Sequence, residues 1–188
     1  MPDDTQHPGR IAFPKLLTDM GLLGTGVEIG VFRGWHSKLL LDNWAGKKIW
    51  GVDCYRQIPF FLDGVDVNKF HYSPKMWASV KATGEATLAP YGDRFELIHK
   101  DSEKASERFD DGSLDWVYVD DGHFFEAVIR DIDFWERKIR PGGVIAGHDY
   151  YDEHTACTVE VKMAVDYHYG DRVKSWDTGK LPTWYVLL

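Results

Sequence analysis

The sequence predicts an α/β fold in which a mostly parallel sheet carries helices on both faces. Three observations predict it. Short apolar runs ending in Gly or Asp alternate with amphipathic stretches of helical period, and that alternation implies right-handed crossovers between parallel strands. The chain has 188 residues, 44% of them hydrophobic and 28% charged, which suits one globular domain. Finally Asp53, Asp101, Asp120, Asp121 and Asp149 each stand at or just past the end of a predicted strand, where such sheets bind ligands.

The elements follow in order. Residues 1–10 are polar and read as frayed. Ile11, Phe13, Leu16, Leu17 and Met20 have helical spacing, with Gly21 as a stop. Gly26–Gly30 reads as a short buried strand and His36–Trp44 as a helix. Lys48–Asp53 is a second strand. Tyr55–Ser73 is irregular and aromatic-rich; Pro74–Ala89 is a helix with Pro in its first turn. Arg94–Lys100 alternates as a third strand, Ser102–Arg108 is a short helix, and Leu114–Val119 is a fourth strand. Phe124–Ile139 is a helix with Val128, Ile129, Ile132, Trp135 and Ile139 on one face. Arg140-Pro141-Gly142-Gly143 breaks it before a fifth strand that starts at Val144–Ala146. Thr155–Tyr169 is a further helix, and Arg172–Trp176 and Thr183–Leu188 are the final strands. That makes a Rossmann-like sheet of seven strands, the last one antiparallel. Residues 1–188 form a single domain, with 1–23 as a helical extension and 55–75 as a lid-like insertion.

Composition narrows the function. A net charge of −8 with no basic run disfavours nucleic acid as a partner. The N-terminal segment is acidic rather than apolar, and no run is long enough to span a membrane. Cys54 and Cys157 are the only cysteines and lack metal or redox spacing. The expectation is a cytoplasmic protein with two buried, inert thiols.

Glu28 sits inside an apolar strand, where an unpaired carboxylate costs several kcal/mol. A charged or hydroxyl-bearing ligand would explain it. Gly30 and Gly34 permit a tight strand-to-helix turn, but the spacing is not the three-glycine dinucleotide fingerprint. Asp53 can accept two hydrogen bonds from a ribose diol. Asp101 and Ser102 either border an adenine edge or cap the next helix. Asp120-Asp121-Gly122-His123 and Gly147-His148-Asp149 end adjacent strands. Their carboxylates and imidazoles suit Mg or Mn, or a mixed site for Fe.

Taken together, Val27–Ser37, Gly51-Val52-Asp53, Lys100-Asp101-Ser102, Val119–Val128 and Ile139–Tyr150 resemble the class I S-adenosylmethionine-dependent methyltransferases. The nearest pattern is a small bacterial group similar to metal-dependent O-methyltransferases. The resemblance implies that Glu28, Gly30 and Gly34 hold the methionine part of the cofactor and Asp53 the ribose. It places Asp101 and Ser102 by the adenine, with Asp120 also on the cofactor side. It further implies that Asp120, His148 and Asp149 bind a divalent cation, Mg or Mn, although a His replaces a carboxylate of the related pattern. His123, three positions after Asp120, matches the place of a catalytic base, with His154 a weaker candidate. His123 is expected to be neutral at pH 7 once cofactor and cation lie beside it.

The expected reaction is methylation of a small-molecule hydroxyl, sugar or phenolic. The alternatives are a metal-dependent oxygenase of cephalosporin-hydroxylase type and a non-catalytic Rossmann-like binding module. Tyr55, Phe60, Phe61, Phe70, Tyr72 and Trp77 either stack on substrate or seal a homodimer interface.

Overall fold

The computed structural model describes residues 7–56, 61–62, 65–66, 72–151, 160–176 and 182–188. Helices α1 (Pro8–Asp19), α2 (Trp35–Asn43), α3 (Pro74–Leu88), α4 (Ser102–Ser106), α5 (Phe125–Trp135) and α6 (Val161–Tyr169) surround the strands. The strands are β1 (Thr25–Ile29), β2 (Lys48–Val52), β3 (Phe61–Leu62), β4 (Val65–Asp66), β5 (Phe95–Ile98), β6 (Leu114–Val119), β7 (Ile139–Gly147), β8 (Lys174–Trp176) and β9 (Thr183–Leu187). Seven of them form one sheet in the order β5-β2-β1-β6-β7-β9-β8. The pairs from β5 to β7 are parallel, and β9 is antiparallel to both its neighbours. This is a Rossmann-like arrangement, mostly parallel with the last strand antiparallel, as the sequence predicts. β3 and β4 pair separately within the predicted insertion.

Burial explains the layers. All residues of β6 are buried. Val117 and Val119 join a core with Val128, Ile132 and Trp135 of α5, whereas Trp116 and Tyr118 face Phe13 and Leu17 of α1 and Leu40 of α2. Alternate residues thus feed the two faces, as a strand's period of two requires. α3 starts at Ser73, whose hydroxyl accepts from the Met76 amide, with Pro74 following.

α1 begins earlier than the sequence predicts. Pro8, Gly9 and Arg10 are helical, and Gly9 and Arg10 are buried rather than frayed. A Cβ on Gly9 would lie 2.5 Å from Thr183 Cβ, so only glycine lets this turn press onto β9. Pro14 lies inside the helix and costs about 3 kcal/mol there. Phe13 and Leu17 are fully buried, and at about 1.5–3 kcal/mol each their burial offsets that cost.

The Arg140-Pro141-Gly142-Gly143 segment also differs from expectation. It lies within β7, where the register jumps from Leu114↔Ile139 to Trp116↔Val144. The irregularity is held by Gly142 donating to Leu188 O and Leu188 donating to Gly143 O. The backbone pairing carries the strand through residues that read locally as a breaker. α6 starts at Val161; the earlier part of its predicted span falls outside the described residues.

Between β1 and β6 the chain changes direction of winding: β2 and β5 lie to one side, β6 and β7 to the other. The carboxyl ends of these strands therefore meet at a crevice.

Candidate active site

The first half of the crevice is built by the turns after β1 and β2. Gly30 has φ +91, and a Cβ there would lie 2.1 Å from Asp120 O, so the β1 turn abuts the end of β6. Gly34 caps α2 in the left-handed conformation. Asp53, at the end of β2, is buried. Its Oδ2 accepts from the Phe32 amide at 2.8 Å and its Oδ1 from the Tyr55 amide at 2.7 Å. Phe32 and Tyr55 both have positive φ, 51° and 44°, a strained conformation for aromatic residues. Burial pushes the Asp53 carboxyl up, and the two amides partly counter it. Each oxygen holding one amide keeps a second acceptor position.

Glu28 is fully buried. Its Oε1 accepts from His36 Nδ1 at 2.8 Å, and its Oε2 accepts from the Ser37 hydroxyl. These α2 partners already account for a carboxylate in an apolar strand. Farther out, Asp101 is half-exposed and pairs with Arg56 at 2.7 Å. Ser102 turns inward instead: its Oγ accepts from Trp135 Nε1 at 2.8 Å, and it also bonds Asp131. Neither side chain forms a cap on α4.

The second half lies at the ends of β6 and β7. Arg10 Nη2 donates to Asp120 Oδ2 at 2.6 Å, with the two side chains 4% and 13% exposed. His123 Nε2 is 2.7 Å from Asp149 Oδ2. Asp149, with φ 59, is also a non-glycine residue with positive φ. Ligand atoms of Asp120, His123 and Asp149 all lie within 4.8 Å of one another. His148 is buried. Its Nδ1 stands 3.5 Å from Asp149 Oδ1 and its ring meets His7 edge-on at 5.5 Å. A cavity of about 10 Å³, roughly one water in size, is bordered by Asp121, His123, His148 and Trp184.

Electrostatics follow from this packing. Burial pulls the His123 pKa down, but the hydrogen bond and charge of Asp149, with Asp120 and Asp121, raise it to about 9. Burial alone would raise Asp149, yet His123 and His148 hold it well below the usual carboxylate range. Asp121 is pushed up to about 7 by burial, with the charges of Asp53 and Asp131 adding to it. In the protein alone the carboxylates outweigh burial and favour the imidazolium form of His123 at pH 7; the neutral ring is the expectation for the state with cofactor and cation bound.

Comparison with known proteins identifies the domain. A family model described as "Methyltransferase domain" matches residues 27–150. The chain belongs to this methyltransferase-domain family. No curated protein matches its sequence. Among solved structures, the Bacillus cereus O-methyltransferase in complex with SAH is similar, at 14% identity and a TM-score of 0.66, covering 100% of this chain and 84% of that one. So is the O-methyltransferase TomG from Streptomyces achromogenes in complex with SAM, at 16% identity and 0.64, covering 96% and 79%. An Aquifex aeolicus SAM-dependent methyltransferase aligns at 16% identity and 0.58, covering 96% and 93%.

Within this methyltransferase domain, the sequence-derived residues occupy distinct places. Glu28, Gly30, Gly34 and Asp53 gather at the β1 and β2 turns, with Asp101 beyond them. Ser102 faces α5, because Trp135 and Asp131 use its hydroxyl. Of the expected metal set, Asp120 and Asp149 lie together with His123, while His148 stands with Nδ1 3.5 Å from Asp149 Oδ1 and its ring edge-on to His7. Tyr55, expected in the lid, is buried beside α3 instead. Tyr72 and Trp77 pack on Phe32 with ring centroids 6.2 and 6.4 Å away. The Cys54 thiol is half-buried and pushed up to about 11 by burial, which keeps it unreactive. His154, Cys157, Phe60 and Phe70, and the Phe61 side chain, lie outside the described residues. The residue that sequence reasoning missed is Arg10. Its one local signal is a cationic residue just before an apolar helical run. Among the described residues no helix is long and apolar enough to cross a membrane.

Proposed function

We propose that this chain transfers a methyl group from S-adenosylmethionine to a hydroxyl of a small molecule, a sugar or a phenol. The observation that carries the proposal is the His123–Asp149 pair at 2.7 Å, beside the buried, amide-held carboxylate of Asp53 on the other side of the β1–β6 crevice. Family membership and the O-methyltransferase neighbours support the same reading. When bound, the cofactor supplies an electrophilic methyl on a sulfonium.

The chain's own residues do the rest. Asp53 offers two acceptor positions to a vicinal diol, while the turn at Glu28–Gly34 forms the adjoining wall. Phe32, Tyr72 and Trp77 provide aromatic faces on which a ring can stack. His123 is 39% exposed whereas Asp149 is 14% exposed, so the imidazole is reachable and its partner is sheltered. Asp149 orients the ring and stabilises its protonated form. His123 accepts the hydroxyl proton once it has itself been deprotonated, so the rate rises with pH toward about 9 and earlier where positive charge is bound nearby.

The test is a calorimetric titration of the full chain with S-adenosylmethionine, followed by turnover on a panel of sugars and phenols. Binding together with methylated hydroxyl product and S-adenosylhomocysteine supports the proposal. Cofactor binding with methylation only of nitrogen or carbon acceptors overturns the hydroxyl assignment. Failure to bind the cofactor overturns the whole.

A further inference from the structure

We infer that Arg10 is the resident cation of the acceptor half of this site, and that the chain performs its reaction without a divalent ion. The similarity to metal-dependent O-methyltransferases implies a cation joining Asp120 and Asp149. The residues present do not fit that group. Asp120 already takes the Arg10 guanidinium at 2.6 Å, and Asp149 takes the His123 imidazole at 2.7 Å. Each carboxylate keeps a second oxygen, but an ion seated between the acids would sit against the Arg10 guanidinium and compete with it for Asp120. Nor is the donor set suited to a hard ion such as Mg, which prefers oxygen ligands throughout.

The placement of Arg10 is built into the fold. Its residue is 3% exposed. Gly9 presses α1 onto Thr183, where a Cβ would come within 2.5 Å. His7 lies edge-on against His148, and Phe13 and Leu17 anchor the next turns in the core. This packing sets the Arg10 backbone beside the end of β6, within reach of Asp120. A fixed positive charge is thus held at the carboxyl end of β6. On the O-methyltransferase reading, on which this consequence rests, it stabilises the negative charge that grows on an acceptor oxygen as its proton departs. Arg10 also acts as a positioning residue by holding Asp120.

The experiment titrates manganese(II) into the full chain without cofactor or substrate, followed by electron paramagnetic resonance, and measures turnover in excess EDTA. We expect no stoichiometric manganese site in the native protein and unchanged turnover with EDTA. Arg10→Met should gain one manganese site, bound about tenfold or more tighter than any native binding. Adding Asp120→Asn should abolish that gain. A stoichiometric native site lost in Asp120→Asn, or turnover lost in EDTA and restored by a divalent ion, overturns the inference. So does a folded Arg10→Met that gains no site. Should Arg10→Met fail to fold, the native titration and the EDTA assay decide alone. An error in the methyltransferase reading would show separately, as missing S-adenosylmethionine binding with the manganese results unchanged.

Discussion

The two halves of the crevice satisfy their carboxylates in different ways. On the β1–β2 side, Asp53 is held by neutral backbone amides from Phe32 and Tyr55, 21 and 2 residues away. Glu28 is held by α2 partners 8 and 9 residues away. On the β6–β7 side, Asp120 is held by a full positive charge 110 residues away, and Asp149 by His123. Amides orient a carboxylate without cancelling its charge, so Asp53 remains an acceptor for ligand hydroxyls. On the β6–β7 side guanidinium and imidazole hold the carboxylates as ion pairs, so the integrity of that half depends on protonation. The first half is suited to holding a ligand and the second to moving a proton beside it.

Substitutions can break this contrast. The largest effect belongs to His123→Ala, which should lower turnover by roughly 10²–10⁴ and abolish the rise of rate with pH, with S-adenosylmethionine affinity retained in calorimetry. Turnover close to native would remove His123 from proton transfer. Next comes Arg10→Ala, which leaves a part-buried carboxylate uncompensated and should cost up to about 3–5 kcal/mol in urea denaturation. A cost below about 1 kcal/mol would mean that the pair behaves as a surface bridge. Asp53→Ala should weaken S-adenosylmethionine at least about tenfold, since charge-assisted bonds contribute about 1.5–3 kcal/mol each. Unchanged affinity would sink the ribose assignment. Ser102→Ala should cost about 1 kcal/mol of stability through its lost bonds to α5 and leave cofactor affinity as it was. A drop in affinity would instead return Ser102 to the cofactor side.

The smallest effect is the pH dependence of the His123–Asp149 pair. The folded pKa of His123 lies above its ordinary value of 6.5, at about 9. Its contribution to stability is thus complete below about 6.5 and is lost as pH rises through about 9. With the ring 39% exposed, solvent screening limits the effect to about 1 kcal/mol. The stability gap between the native protein and Asp149→Asn should narrow over that pH interval. A gap that is constant or widens would show that the pair is not ionic.

Much of the architecture was legible because it is written in local patterns. β6 appears at Leu114–Val119, the span its apolar run predicts, and α5 carries its buried face at Val128, Ile132 and Trp135. The acids at strand ends were also readable, since a strand that ends in Asp delivers that Asp to the rim of the sheet. Other features carry no local mark. Left-handed backbone at Phe32, Tyr55 and Asp149 is imposed by contacts, not by residue type. Glu28 invited a ligand as its explanation, whereas His36 and Ser37 supply internal partners.

Order along the chain thus specified strands, helices, the layering of the core and the row of carboxylates, because periodicity and turn chemistry act over a few residues. Packing decided the rest. It buried the start of α1 against Thr183, ran β7 through Arg140–Gly143, placed His123 with the two acids, and set Arg10 on Asp120. Each of these depends on a distance through space between groups far apart in the chain. Coulomb attraction and steric exclusion act on that distance, and spacing in sequence does not encode it.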